Sequence, residues 1–280
     1  MTNLNADLHA HTDYSADCED FSPTDLVRKA KEVGLKYVAI TDHDEVGGVE
    51  EALKAGKEFG VEVVPGVEMH SNLGEVLGLF IDHKNKEFVA ACRRNKELSN
   101  AGACDTIERL RKDGFEVDVS EIKKIYKREF VHSSHIAREL VRKGYAESVR
   151  EAYSKFLKKG SKYRVDVKFP SAVEAIKAIK KAGGVAVLAH PFLENYEKEF
   201  SMMKELVDAG LDGIELFSGS FRPDYFQTVA DESKRLADKY GLVLTSGSDS
   251  HGHSHPTNIL GKFNCDEEVV AALKKRLRKK

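Results

Sequence analysis

The 280-residue sequence contains four cysteines, Cys18, Cys92, Cys104 and Cys265, with no close pair and no CxxC spacing. That scarcity argues against a disulfide framework and against a cysteine-based zinc site, leaving reduced thiols. No apolar stretch approaches the roughly 18 residues that a membrane-spanning helix needs. The N-terminus lacks a basic segment followed by an apolar one, so no secretory signal is read and a cytoplasmic protein is expected. A strong charge of either sign is absent too: 44 Lys and Arg against 46 Asp and Glu leave −2, which by itself implies no polyanionic partner. There is no internal repeat and no low-complexity linker.

What the sequence does contain is a soluble composition, 41% hydrophobic and 32% charged, ordinary for a globular chain. Residues 104–164 hold 16 basic and 10 acidic side chains, +6, so the remainder carries −8. A basic segment facing an acidic one suits a site that holds cations and receives an anion; solvated helix faces give the same count.

Short β-branched runs alternate with amphipathic helical patterns. Strands are expected at residues 5–9, 36–41, 61–67, 76–81, 185–189, 213–217 and 242–246. Helices are expected at about 23–33, 47–59, 171–182, 198–209 and 225–240. Ser22 is the N-cap of the first of these, Pro23 its N1 residue, and Gly34 marks its end. Alternation of this kind predicts a mainly parallel sheet with helices outside it. From about 86 to 164 the rhythm becomes purely helical. The expected organisation is an α/β barrel over residues 1–85 and 165–266, a helical insertion at 86–164, and a C-terminal helix with a basic tail at 267–280.

Metal-type side chains fall at the ends of the apolar runs. His9 and His11 follow the first, His43 and Asp44 the second, and Glu68 the third. His190 follows a later run, and Asp249 with His251 the last. In a barrel of parallel strands these ends share one rim, from which catalytic groups are drawn. Residues two apart on an extended strand point the same way, so His9 and His11 can bind one cation. Asp249 and His251 repeat that spacing with a carboxylate. Mixed imidazole and carboxylate donors suit zinc, manganese or iron.

The ordered set His9-Ala-His11, Thr41-Asp42-His43-Asp44, Pro65-Gly66-Val67-Glu68, Ala189-His190-Pro191 and Gly247-Ser248-Asp249-Ser250-His251 resembles the PHP (polymerase and histidinol phosphatase) superfamily over nearly the whole chain. Within the insertion, His132-Ser-Ser-His135-Ile-Ala-Arg138 and Tyr153-x-x-Phe156-Leu-x-x-Gly160 resemble the branch with nucleotide phosphatases and a 5′-to-3′ exoribonuclease. The resemblance implies a distorted (β/α)7 barrel with two or three divalent cations. His9, His11, Glu68 and Asp249 would hold the first. Asp17 and His43 would hold the second, with His251 or His190, and Asp20 is the fallback for Asp17. Related proteins place a His just before the strand at Val76, where this chain has Glu75. Glu75 with Glu68 and His135 would form a third site, with His70 and His83 as weaker substitutes. If Glu75 points to solvent the centre holds two metals. His132, His253 and His255 are read as non-ligands.

The implied reaction is hydrolysis of phosphate esters by metal-activated water, without a protein nucleophile. The sequence has no Gly-x-Ser-x-Gly elbow and no cysteine nucleophile context. His190 is a ligand or the acid for the leaving oxygen. Arg138, one helical turn after His135, is the candidate for gripping phosphate bidentately, or else pairs with Glu139 or another acid. The expected substrate is a nucleotide or other phosphorylated small molecule. Alternatives are a short oligonucleotide, histidinol phosphate, an amide or ester in an amidohydrolase-like site, or no turnover in a metal-binding regulatory domain.

Overall fold

The computed structural model describes residues 4–191, 196–217, 226–253 and 259–277. His255 and the last three residues of the basic tail lie outside them. The chain divides into two compact units, Met1–Cys92 with Pro170–Lys280, and Arg93–Phe169.

In the first unit, strands β1 (Leu4–Asp7), β2 (Tyr37–Ile40), β3 (Glu62–His70), β4 (Glu75–Leu79), β5 (Val185–Leu188), β6 (Leu211–Phe217), β7 (Val243–Ser246) and β8 (Cys265–Asp266) form one sheet. Their spatial order is β7-β6-β5-β4-β3-β2-β1-β8. The sheet then nearly closes on itself. Leu8 N donates to Ser246 O (3.3 Å), Asp249 N to His9 O (2.8 Å) and His11 N to Ser250 O (2.8 Å). The two His- and Asp-bearing segments are therefore stitched together by the bonds that complete the barrel.

Two features differ from the sequence expectation. β4 runs antiparallel to both β3 and β5, so the barrel is mixed, with parallel triplets on either side. β3 also continues through Glu68 to His70 instead of stopping at Val67. The cause is a hairpin in which His70 faces Glu75 in register, turned where Ser71 N donates to Gly74 O at 2.9 Å. Gly74 has φ 150°, a conformation that glycine adopts without strain. A reversed strand presents its beginning, not its end, at the rim that the parallel strands reach last.

Side chains alternate across the wall, as the pleat requires. Ala39, Val64, Leu77, Leu79, Val185 and Val187 fill the barrel interior with Val270 and Leu273. Val38, Ile40, Val63, Val76, Leu188 and Ile214 face the surrounding helices. Those helices start where local chemistry provides caps. In α1 (Pro23–Glu32) and α7 (Ala172–Lys181), Ser22 and Ser171 form capping boxes with Asp25 and Glu174, each satisfying helix-start N–H groups. α2 (Val49–Phe59) ends on left-handed Gly60. The helix expected at 198–209 is two, α8 (Tyr196–Ser201) and α9 (Met203–Ala209), and α10 spans Phe226–Tyr240. The terminal helix α11 covers Glu267–Lys274, and residues 275–277, expected to continue it, lie beyond its end.

The second unit is helical. α3 (Lys86–Lys112) leads into it, followed by α4 (Val119–Tyr126), α5 (Ser133–Arg142), α6 (Val149–Ala152) and a π turn at Tyr153–Leu157. Ile107, Leu110, Ile122, Ile136, Leu140 and Leu157 form its own core. Phe115 packs edge-on against Tyr145, Phe156 and Tyr163, at centroid distances of 4.9, 5.3 and 5.5 Å. No described helix is long and apolar enough to cross a membrane.

Candidate metal centre

Inward-facing positions change character along the barrel, from apolar at one end to Glu68, Glu75 and Glu215 at the other. Glu68 is fully buried and four imidazoles surround it. Its Oε2 lies 3.1 Å from His9 Nε2, 3.3 Å from His11 Nε2 and 3.2 Å from His43 Nδ1. Its Oε1 lies 2.9 Å from His190 Nε2. Asp249 Oδ1 approaches His9 and His11 Nε2 at 3.5 and 3.2 Å. Alongside, Asp17 Oδ2 lies 3.2 Å from His43 Nε2 and 3.3 Å from His251 Nε2. Glu75 Oε1 lies 3.3 Å from His70 Nε2 and 3.6 Å from His43 Nδ1, and its Oε2 lies 3.6 Å from His190.

These residues fit divalent cations. Glu68 Oε2 and His43 Nδ1 are buried and 3.2 Å apart, yet neither forms a hydrogen bond. Two buried polar atoms left without a hydrogen bond among imidazoles and carboxylates fit a site built to hold a cation. Ring tautomers point the same way. His251 Nδ1 contacts Asp249 O at 2.9 Å; a carbonyl only accepts, so Nδ1 carries hydrogen and Nε2 faces the cluster. His9 Nδ1 meets both oxygens of Glu215, at 3.1 and 3.2 Å, and His70 Nδ1 meets Asp44 Oδ2 at 2.7 Å. Carboxylates behind an imidazole fix its orientation and raise its basicity as a ligand.

Without a cation the charges balance one another. Burial disfavours charged His9, but Glu68, Glu215 and Asp249 outweigh it and hold its pKa well above the ordinary value. Against the same burial, Glu68 raises His190 to about 10 and Asp17 raises His251 to about 9. Burial and neighbouring His251 lower His11. Glu68 and Asp17, although buried, are held well below the carboxylate range by His9 and His43, and by His251 and His43 respectively.

The backbone is bent to achieve this. Asp44, His190 and Asp249 have φ of 48°, 21° and 51°, a region costing non-glycine residues about 1–3 kcal/mol each. Each amide is anchored inside the site: Asp44 N on Glu68 O (2.9 Å), His190 N on Glu215 Oε2 (2.9 Å), Asp249 N on His9 O (2.8 Å). Gly247 is a requirement of close approach, since a Cβ there would overlap His9 Cβ and backbone N. Asp7 ties the region from below, accepting from Ser248 N (2.9 Å) and Gly261 N (2.8 Å). Asp42 accepts from Thr12 N and Oγ1 at 2.6 and 2.8 Å.

His9, His11, Asp17, His43, Glu68, Glu75, His190, Asp249 and His251 thus lie in overlapping groups whose ligand atoms are mutually within 4.8 Å. Asp20 is exposed on a turn. His83 pairs with Glu50 at 3.2 Å, and exposed His253 meets the Phe21 ring edge-on at 6.2 Å. His135 belongs to the second unit, buried in α5, with its Nδ1 accepting from His132 N at 3.1 Å. His132 Nδ1 lies 3.0 Å from Ser99 Oγ. Among the described residues every such group comes from the first unit, and His135 is in none. Arg138 is half-buried on α5, while Glu139 is taken by Arg142 at 2.6 and 2.7 Å.

Two acids, Glu215 and Glu199, escaped the sequence reading, and a third was given no role of its own. Glu215 is an acid at an inward position of the otherwise apolar run Gly-Ile-Glu-Leu-Phe, a signal that was available. Asp44 was noted only as part of a motif. Glu199, on α8, is buried with Oε2 making no hydrogen bond, and desolvation pushes its pKa up to about 8.

Two outcomes follow for the metal-free protein. At pH 7 His251 carries a proton that ligation must expel, so cation affinity rises with pH towards 9, by about tenfold per unit. Titration calorimetry in two buffers of different ionisation enthalpy measures the release; zero net protons would contradict it. Glu215→Gln is expected to weaken the tightest cation about 10- to 100-fold, read by competition with a chelating dye, and unchanged affinity would leave Glu215 with no orienting role.

The comparisons with known proteins agree with this geometry. A family model described as PHP domain matches residues 7–253. The chain is 31% identical over 257 residues to a phosphoribosyl 1,2-cyclic phosphate 1,2-diphosphodiesterase of Eggerthella lenta, covering 88% of this chain and 94% of that protein. It is 31% identical to a 5′-3′ exoribonuclease of Haemophilus influenzae, with 88% and 89% covered. It is 30% identical to a 3′,5′-nucleoside bisphosphate phosphatase of Chromobacterium violaceum, with 90% and 88% covered. A solved structure from Bifidobacterium adolescentis, assigned as a metal-dependent phosphoesterase, superposes with TM-score 0.87 at 28% identity over 100% of this chain and 99% of the other. The rim of imidazoles and carboxylates and a family match running from the first strand past the last therefore say the same thing: this chain belongs to the PHP domain family.

Proposed function

We propose that the protein is a metal-dependent phosphoesterase that hydrolyses phosphomonoesters of nucleotides or other ribose-containing small molecules. The observation that carries this reading is Glu68, a buried carboxylate within 3.3 Å of four imidazole nitrogens at a rim where Asp17, Glu75 and Asp249 also converge. His9, His11, Glu68 and Asp249 would hold one divalent cation, and Asp17, His43 and His251 a second. Glu75 and His190 stand beside Glu68, outside these two ligand sets. Manganese, zinc and iron match this thiolate-free donor set. When bound there, such cations supply Lewis acidity towards a phosphoryl oxygen and acidify water.

The protein's own side chains have the remaining tasks. His190 holds a proton at Nε2, 2.9 Å from Glu68 Oε1, and is placed to give it to the leaving oxygen if it is not itself a ligand. Arg138, in the second unit, is the guanidinium that the family resemblance offers for phosphate, its planar fork matching two oxygens at once. Neither Cys18 nor Cys265 is placed as a nucleophile. Cys18 Sγ is buried against His11 O, and desolvation pushes Cys265 up to about 12, so neither is a ready thiolate.

The substrate class rests on the relatives, whose names place the scissile phosphate in a phosphoribosyl compound, a nucleoside bisphosphate and RNA. The exoribonuclease at 31% identity supports a second reading, cleavage of short 5′-phosphorylated oligonucleotides. A screen of nucleoside phosphates, phosphoribosyl esters and such oligonucleotides, with manganese, zinc and iron in turn, separates them.

His9→Ala or Asp249→Ala is expected to lower turnover on the order of a thousandfold or more, with the circular dichroism spectrum unchanged. Wild-type turnover in either would remove this site from the reaction. For Arg138→Ala the expected effect falls on KM, about ten- to hundredfold, the size of one charge-assisted hydrogen bond. An unaltered kcat/KM would place the phosphate elsewhere.

A further inference from the structure

The β3–β4 hairpin carries a donor pair that the two principal groups leave unused. His70 closes β3 and Glu75 opens β4, opposite each other in register, with His70 Nε2 3.3 Å from Glu75 Oε1. Behind the imidazole, Asp44 is buried and makes two contacts with the same residue: Oδ2 with His70 Nδ1 at 2.7 Å and Oδ1 with His70 N at 3.3 Å. Asp44 is itself held in a left-handed conformation by the bond from its N–H to Glu68 O. A strained, buried carboxylate spent on fixing one partly exposed imidazole is the arrangement found behind metal-ligating histidines. With Nδ1 held by Asp44, Nε2 is the nitrogen turned to Glu75, and it becomes a ligand atom when a cation displaces its proton.

We propose that His70 and Glu75 are the protein ligands of a separate, weakly held divalent cation, with Asp44 as the residue that orients His70. The inference rests on the phosphoesterase reading and adds a site to it. His43 is the third member of this group, but its Nε2 faces Asp17 at 3.2 Å. A neutral imidazole ligates through one nitrogen, so His43 belongs to the Asp17 and His251 cation and offers Nδ1 to this site only as a donor. Glu75 keeps a second oxygen, Oε2, towards His190, and so connects the site to the Glu68 cluster. One carboxylate and one imidazole, with the remaining positions left to water or a phosphate oxygen, suit a hard cation such as manganese or magnesium, which keeps part of its water shell. Such a cation exchanges quickly and is gained or lost with the substrate's anionic oxygens.

The test is a manganese titration of the full-length, metal-stripped protein, with free aqueous manganese read by electron paramagnetic resonance. The wild type is expected to take up two tight equivalents and one weak one. His70→Ala and Glu75→Gln should lose the weak equivalent and keep both tight ones. Asp44→Asn should weaken the weak site about 10- to 100-fold, with melting temperatures establishing that each variant folds. A wild type lacking the weak class, or His70→Ala retaining it, overturns the proposal while the phosphoesterase reading stands. Absence of the tight class from the folded wild type would instead defeat that reading, and the weak site with it.

Discussion

Glu68 is the group on which the rest of the site depends. A carboxylate stripped of water costs several kcal/mol. What offsets it is four imidazoles, those of His9 and His11 from one wall segment and of His43 and His190 from two others. At about 4 Å and an effective dielectric of 20, one unit positive charge contributes about 4 kcal/mol. The imidazoles provide positive charge only while protonated, and a divalent cation provides it without protons. Protonated imidazoles and bound cations are thus alternative counter-ions of one buried carboxylate, and the site is held open for exchange between them.

That exchange demands positions finer than a strand supplies unaided. The segments bearing His9 and Asp249 are bonded to each other through the amides that close the barrel, so any shift of one ligand is a shift of both. Three site residues accept left-handed backbone conformations, and in each the amide is captured by a neighbour in the same site. Strain of this kind persists only where its surroundings over-determine it. Here the surroundings are Glu215, Glu68 O and His9 O, which makes the support of the ligands and the ligands themselves one hydrogen-bonded object.

Much of this was legible in the sequence because it is local. An apolar run followed at once by His, Asp or Glu, repeated at His9, His43, Glu68, His190 and Asp249, needs no knowledge of pairing to suggest a common rim. The capping of α1 and α7 is equally local, as is the lack of strand patterns after residue 86. What failed to appear depends on partners far along the chain. Glu215 acquires its meaning only against His9, 206 residues away. The reversal of β4 leaves no trace in the run Glu75–Leu79, since an interior strand reads alike in either direction. The requirement for glycine at 247 comes from the backbone of His9 and from nothing nearby. His70 entered only as a weaker substitute, and the hairpin that extends β3 to it was not foreseen.

The reversed strand also changes how ligands are supplied at that part of the rim. On a parallel strand a metal-binding side chain stands at the C-terminal end and has only its own sequence neighbours to replace it. In the β3–β4 hairpin the two chains meet at the rim, and a residue on one has a partner directly opposite on the other, with side chains close enough to share a cation. A donor type missing from β4 can be provided by β3 without altering register, strand length or the turn. Glu75 stands where the family resemblance implies an imidazole, and an imidazole stands opposite it at His70, already oriented by Asp44. The hairpin therefore conserves the chemical complement of the rim while letting the residues that provide it change sides. A sequence reading that follows one strand at a time registers only a loss.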